Sequence, residues 1–317
     1  MSAARPVVDV GVVTWNTRDL TVGALRRLLD TDQGCDVRVL VHDNASTDGT
    51  PEAIRRALPQ VDVVVGDRNA GFAAGMNQLL ARSDAEWFFA LNSDAWPEPG
   101  CVGTLVSTAQ RHPGAAVVAP RLERPDGMLE HSTYPFPSVR VAAFTAVAGW
   151  RWLGRRRASR MLLEGCWMHD RPGPVDWAVG AAWLMRRRAV AAVGPLDESF
   201  FMYVEDLEWC WRAHERGWSI WFEPTAVVRH VGNASGEQAY GRQRTMTYLR
   251  NTYVFFRRTH GRAATAAFRW FNLAGSLRLY LLSRLRRRPD RASFWADHVR
   301  VHLHPFVGQG EPSQPTR

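Results

Sequence analysis

An apolar run, Phe89-Ala90-Leu91, stops on Asn92-Ser93-Asp94, two polar side chains two residues apart. In an extended strand that spacing aims both the same way. A carboxylate at the carboxyl end of a buried strand is well placed to hold a hard cation against a phosphate. An isolated Asn-x-Asp more often caps a loop, so its neighbours in the chain decide. Thr14-Trp15-Asn16 and Asp43-Asn44 also follow apolar runs, and the Arg68-Asn69-Ala70-Gly71 stretch, with Gly75 and Asn77, has glycines that permit close backbone approach. Glu205-Asp206 lies among Phe200, Phe201, Tyr203 and Trp209. Carboxylates near apolar rings have raised pKa values, which suits a general base. His230 follows the apolar run from Ile220 to Val228.

Alternating strands and helices must position these groups. Val7 to Thr14 is nearly continuous and β-branched, the pattern of a strand buried on both faces. Leu20 to Thr31 has helical spacing, with Leu25, Leu28 and Leu29 on one stripe. Asp36 to His42 reads as a second strand, and Pro51 sits near the first turn of a second helix. Val61 to Val65, Gly75 to Arg82 and Glu86 to Leu91 continue as strand, helix, strand. The alternation predicts an α/β fold with a mainly parallel sheet flanked by helices. Right-handed crossovers then collect the strand carboxyl ends, and with them Thr14, Asn16, Asp43, Asn92 and Asp94, along one crevice. Beyond about residue 120 the pattern loosens. Residues 136–170, with the patch Arg155-Arg156-Arg157, read as an inserted or surface-docking segment, Val175 to Arg186 as a strand, and 244–303 as mostly helical, aromatic and basic.

The 317 residues and 46% apolar content allow a substantial core. The formal net charge of +9 is concentrated after Arg250, which points to an anionic partner. The basic residues form no recognised nucleic-acid module, and acidic clusters fill the expected crevice, so nucleic acid is excluded as a partner. Cys35, Cys101, Cys166 and Cys210 show no C-x-x-C pairing and read as reduced thiols of a cytosolic protein. No signal peptide is evident, and no uncharged run reaches the roughly 18–20 residues that span a bilayer. From Phe268 to Arg288, apolar and Arg positions alternate at helical spacing. That suits a helix lying on an anionic membrane face; a helix packed on the domain or a homo-oligomer contact fits the same pattern. The final residues, 306–317, read as a disordered tail.

Taken in order, Val12 to Asn16, Val41 to Thr50, Arg68 to Ala73 with Gly75 and Asn77, and Leu91 to Asp94 resemble the nucleotide-binding half of the family-2 glycosyltransferases, the GT-A fold. Val179 to Trp183, Phe200 to Glu208 with Arg212, and His230 to Ser235 resemble the acceptor half. The pattern is similar to that of bacterial rhamnosyltransferases acting on cell-wall or polysaccharide intermediates. The resemblance implies a GT-A domain over 1–260, with a nucleotide-sugar half (7–120) and an acceptor half (121–260), followed by a basic helical extension over 261–305. It implies that Thr14, Asn16, Asp43, Arg68, Asn69, Gly71, Asn77, Asn92 and Asp94 surround the donor, with Asp43 on the pyrimidine edge. Asp94, with His230, would hold Mg²⁺ or Mn²⁺; imidazole favours Mn²⁺. Asp206 would be the base, with Glu205 as the other candidate or an acceptor-positioning group. Trp177, Gly180, Trp183 and Tyr203 would line the acceptor cleft. The implied reaction is inverting transfer from a nucleotide-sugar, dTDP-L-rhamnose first and UDP-sugars or GDP-mannose after it. The implied acceptor is a glycan or lipid-linked glycan, met by an enzyme peripheral to the inner membrane face. A catalytically weak, nucleotide-sugar-binding homologue is the other reading.

Overall fold

The structure, a computed structural model, describes residues 5–148, 154, 156–159, 168–232 and 244–306. Arg155, Cys166, the Asn233–Ser235 end of the His230 motif and the tail beyond Phe306 lie outside the described residues. The first elements are β1 (Val7–Thr14), α1 (Arg18–Leu29), β2 (Asp36–Asp43), α2 (Thr50–Ala57), β3 (Asp62–Val65), α3 (Phe72–Arg82) and β4 (Trp87–Asn92). Then come β5 (Ala95–Pro97), α4 (Cys101–Arg111), β6 (Ala115–Glu123), β7 (Leu129–Glu130), β8 (Thr133–Tyr134) and α5 (Val139–Ala146). The described chain ends with β9 (Gly173–Val175), β10 (Trp177–Ala178), β11 (Ala182–Arg186), α6 (Arg187–Val193), α7 (Glu205–Glu215), β12 (Ser219–His230), α8 (Arg244–Leu285) and α9 (Pro289–Leu303). It forms two units, residues 1–134 with 169–239 and residues 135–168 with 240–317.

The first unit is α/β. Its main sheet runs β3-β2-β1-β4-β11-β6-β12-β5, with β7 beside β6 and β9 beside β12. β3, β2, β1 and β4 are mutually parallel; β11 runs antiparallel to both β4 and β6. The β-branched runs read from the sequence explain the buried centre. Val8, Val10, Val12, Val39, Val41, Phe89, Leu91 and Leu184 join Leu25, Leu28, Ile54 and Leu105 of the helices in one core. Each such side chain, fully buried, contributes about 1.5–3 kcal/mol.

Register carries the functional consequence. Thr14 pairs with Asp43 and Val13 with Asn92, so the last residues of β1, β2 and β4 lie side by side. β11 enters from the opposite direction, and the Asn92 N–H donates to the Ala181 carbonyl at 2.9 Å. β12 ends at the same edge, where His230 pairs with Ala95. The span Val175–Arg186, read as one strand, is instead broken into β9, β10 and β11. The break allows the Val179 N–H to bond the Ser132 carbonyl and the Gly180 N–H to bond Asp206.

The second unit is helical in its described part. Gly261 (φ 78°) breaks α8 into segments 244–260 and 262–285. Phe256 and Phe268, on either side of the break, stack at 4.3 Å. The Tyr253 hydroxyl meets His302 Nδ1 of α9 at 2.8 Å, and His302 Nε2 meets Ser276 Oγ at 3.1 Å. Gly275 lets α8 approach α5 closely, since a Cβ there would lie 3.2 Å from Ala146 Cα. The end of the GT-A domain implied by the resemblance, near residue 260, lies next to the break at Gly261, while residues 244–260 and α5 group with the helical unit.

Candidate active site

The carboxyl edge of the sheet gathers most of the residues singled out in the sequence. Asp43 is fully buried; its Oδ2 accepts from the Ser46 N–H at 2.7 Å and its Oδ1 has no partner. Burial pushes this carboxyl above the ordinary range. A buried acceptor left open this way is costly unless a ligand fills it. Asn16, with positive φ, crosses from β1 to the turn after β2: its Oδ1 accepts from the Thr47 N–H and its N–H donates to Ser46 Oγ, both at 2.8 Å. It thereby shapes the wall beside Asp43.

Asn92 ends β4, and Asp94 lies in the tight connection to β5, 5% exposed. Both meet His230: its Nε2 lies 3.3 Å from Asp94 Oδ1 and 3.3 Å from Asn92 Nδ2. The Val231 N–H bonds the Asp94 carbonyl at 3.0 Å, which locks the two strand ends together. Glu130, at the end of β7, receives the other ring nitrogen, with Oε2 2.9 Å from His230 Nδ1. Burial alone would lower the imidazole's pKa, but the Asp94 and Glu130 carboxylates outweigh it and hold it up at about 9. Glu130 escaped the sequence reading because it stands 100 residues from His230 in a two-residue strand. The signal that could have found it is a lone acid in the return strand of a turn (Asp126-Gly127) beside β6.

The set fits a divalent cation. Among the described residues no three His, Cys, Asp or Glu side chains form a complete metal cage. Asp94 and, once its ring gives up a proton, His230 would supply two buried ligands, and an imidazole oriented from behind by a carboxylate is the usual support for a metal-binding histidine. A cation held there would take its further ligands from phosphate oxygens and water, the donors such hard cations favour.

The Glu205-Asp206 pair opens α7. Val204, the residue before it, is buried with φ 81°, a strained conformation for a β-branched side chain. Behind it the helix is anchored by Arg212, which bonds Glu208 and the Val193 and Pro195 carbonyls, and by Trp209 Nε1 on the Gly194 carbonyl. Asp206 accepts from the Gly180 N–H at 2.9 Å and the Leu207 N–H at 2.8 Å, and keeps a partly open side. Glu205 is buried, and its Oε2 has no partner. Burial raises both carboxyls, and each carboxylate opposes the ionisation of the other. With two backbone N–H donors Asp206 is the better supported as an anion, whereas Glu205 Oε2 has no donor to stabilise a charge. Gly180 is needed at this point: a Cβ there would lie 3.3 Å from Asp206 Cβ.

Five of the residues expected to touch ligand make close contacts within the protein. The Thr14 hydroxyl is buried 2.9 Å from those of Thr17 and Thr21, where it ties β1 to α1. Asn77 spends its side-chain amide on Leu196 and Glu198, joining α3 to the loop before α7. Trp183, on the central strand β11, is in the core against Trp209, and Trp177, in the two-stranded β8–β10 ribbon, is buried and stacked on Tyr134. Gly71 (φ 89°) is closely covered by protein: a Cβ would lie 2.3 Å from the Phe201 carbonyl oxygen. The Phe72 N–H bonds that same oxygen at 3.1 Å, so the Gly71 loop and the loop leading into α7 are docked together. Asn69 caps this turn through the Gly71 N–H, Asn44 Nδ2 bonds the Gly71 carbonyl, and Arg68 is exposed at the rim. Tyr203, with φ 70°, lies in the same loop.

A mixed, largely parallel sheet with an acidic residue at each of two strand ends, a carboxylate–imidazole pair and a buried acid pair is the layout of a GT-A nucleotide-sugar transferase. The model of "Glycosyl transferase family 2" matches residues 9–192, and the chain belongs to that family. It is 32% identical over 269 residues to the N-acetylglucosaminyl-diphospho-decaprenol L-rhamnosyltransferase of Mycobacterium tuberculosis, covering 80% of this chain and 86% of that one. A pre-mycofactocin glycosyltransferase of the same organism is 28% identical over 221 residues, 67% of this chain and 43% of the relative. Among solved structures, the mannosyltransferase PcManGT from Pyrobaculum calidifontis, in complex with GDP-Man and Mn²⁺, aligns with TM-score 0.62 at 17% identity, over 98% of this chain and 89% of that one. That likeness shows the fold. The protein is a glycosyltransferase.

Proposed function

We propose that the protein transfers L-rhamnose from dTDP-L-rhamnose, with inversion, to a hydroxyl of a polyprenyl-diphosphate-linked N-acetylglucosamine at the membrane face. The observation that carries this reading is the pairing of Asp94 with His230 at the strand edge. The 32% identity to the mycobacterial rhamnosyltransferase supports the choice of sugar and acceptor. Asp43, with its open Oδ1, suits an N–H of a pyrimidine base, a feature shared by thymine and uracil. UDP-sugars are therefore the first competing donors, with GDP-mannose, a purine-nucleotide donor, after them.

In this mechanism Asp206 takes the proton of the acceptor hydroxyl as its oxygen attacks the anomeric carbon. The bond from that carbon to the phosphate oxygen breaks on the opposite side, and the nucleoside diphosphate leaves with the electron pair. Asp94 and His230 would hold the divalent cation, which supplies charge stabilisation at the leaving diphosphate. Glu205, retaining its proton, leaves Asp206 as the acceptor of the acceptor's proton. The Gly71 and Phe201 loops hold Asp206 beside the donor edge, so alignment of two bound substrates accounts for much of the rate.

The test is a panel of dTDP-rhamnose, UDP-sugars and GDP-mannose, scored by protection against thermal unfolding with and without Mn²⁺, because a native-state ligand raises Tm by mass action. The preferred donor must then be turned over with a short-chain polyprenyl-diphosphate N-acetylglucosamine. Stronger protection by GDP-mannose or a UDP-sugar overturns the donor. Protection without turnover supports the binding-only homologue.

A further inference from the structure

The second segment of α8 carries a stripe of large apolar side chains outward. On the buried side are Thr265, Phe268, Gly275, Ser276 and Ser283, mostly small or hydroxyl-bearing. On the opposite side Trp270 is 68% exposed and Leu285 80%, with Leu277 and Leu281 between them also exposed. Positions 270, 277, 281 and 285 fall on one stripe of a 3.6-residue helix and span about 22 Å. A surface helix normally buries its large apolar face; a continuous exposed one marks an interaction site. The same stretch, 262–288, contains seven arginines and no acid, and Arg284, Arg286, Arg287 and Arg288 are exposed at the end of the stripe. Over residues 244–317 there are 14 arginines against 3 acids, so the net charge of +9 resides wholly in this part of the chain.

We propose that the Trp270-Leu277-Leu281-Leu285 stripe lies in the surface of an anionic bilayer, with Arg284 and Arg286–Arg288 on the lipid phosphates. Charge complementarity selects this occupant. A second copy of the chain would bring the same acid-free arginine cluster against itself in a two-fold contact, whereas anionic headgroups neutralise it, each arginine gaining on the order of fivefold in partitioning. No described helix is long and apolar enough to cross a membrane, so the segment lies along the surface. The inference deepens the lipid-linked acceptor reading and takes its purpose from it, but binding is measured without any sugar.

The experiment is sedimentation of the full chain with phosphatidylglycerol–phosphatidylcholine vesicles and with phosphatidylcholine alone. The expected result is binding that requires phosphatidylglycerol and weakens with salt. Leu277→Ser with Leu281→Ser and Leu285→Ser should lower the partition coefficient at least tenfold, by loss of about three apolar insertions. Arg286→Glu with Arg287→Glu and Arg288→Glu should lower it by about a hundredfold. All six positions are exposed, and an unchanged Tm confirms that the variants fold. Absence of binding to the anionic vesicles, or equal binding by wild type and both variants, overturns the proposal. So does a dimer, seen by light scattering without lipid, that the serine variant dissociates. Transfer to a water-soluble acceptor analogue, measured on the same samples, separates the two readings: vesicle binding can fail while transfer persists, and the reverse.

Discussion

The two units break the ordinary rules of burial in opposite ways. In the α/β unit, polar groups are buried and left open at one edge: Asp43 Oδ1 and Glu205 Oε2 have no partner, and Asp94 and His230 are enclosed together. In the helical unit, one face of the second segment of α8 turns Trp270, Leu277, Leu281 and Leu285 outward while Ser276, Ser283 and Gly275 pack inward. Each inversion costs folding stability. On the functions proposed above, the α/β unit bears that cost where a small charged ligand would be gripped, and the helical unit where a broad surface would be met. The difference teaches that one chain can divide its work by burying charge in one place and exposing hydrocarbon in another.

The sharpest way to break this contrast is to remove the buried charge at the strand edge. Asp94→Ala should lower metal-dependent kcat/KM on the order of a thousandfold or more, since a bound cation supplies several kcal/mol to the transition state. Near-normal turnover in that variant rules out the metal assignment. Asp206→Asn should lower kcat by about 10²- to 10⁴-fold while calorimetry shows donor binding intact, as loss of a general base does. Donor binding lost with turnover preserved means that the base lies elsewhere.

Glu130→Gln tests a residue that touches no substrate. It should weaken Mn²⁺ binding about 10- to 100-fold, read by calorimetry in the presence of a nucleoside diphosphate. A purely structural Glu130 would change Tm but not metal affinity.

The smallest effects concern protons on the acid pair. Because Asp206 has a raised pKa, transfer should fade as pH drops through a range above that of ordinary carboxylates; an acid limb at the usual carboxylate pKa contradicts this. Glu205 is also raised, so the folded state holds its proton more tightly than the unfolded state. Its contribution favours folding at low pH and is lost as pH climbs from the unfolded carboxylate range through the raised folded value. Glu205→Gln should therefore raise Tm near neutral pH by about 2–4 °C, the shift expected per kcal/mol, and by less in acid. An equal rise at both pH values would place the effect outside Glu205 ionisation.

Much of the donor side was legible from the chain alone, because parallel strands of β-branched residues end in register. The alternation of Val7–Thr14, Asp36–His42 and Glu86–Leu91 with helices dictated an α/β sheet. From that it followed that Asp43, Asn92 and Asp94 share an edge, which the pairing of Thr14 with Asp43 and Val13 with Asn92 bears out. The helical character of 244–303 and the clustering of its arginines were also local properties of sequence. Contacts across long loops were not. Only the folded chain sets Glu130 behind His230, presses Gly71 onto Phe201, diverts Asn77 to Leu196 and withdraws Trp183 into the core. The stripe on α8 belongs to both levels: its spacing is written in the sequence, but which side of the helix is covered depends on α5 and α9. Local patterns determine where a chain turns and which faces are apolar; tertiary packing decides which of those faces and polar groups remain available.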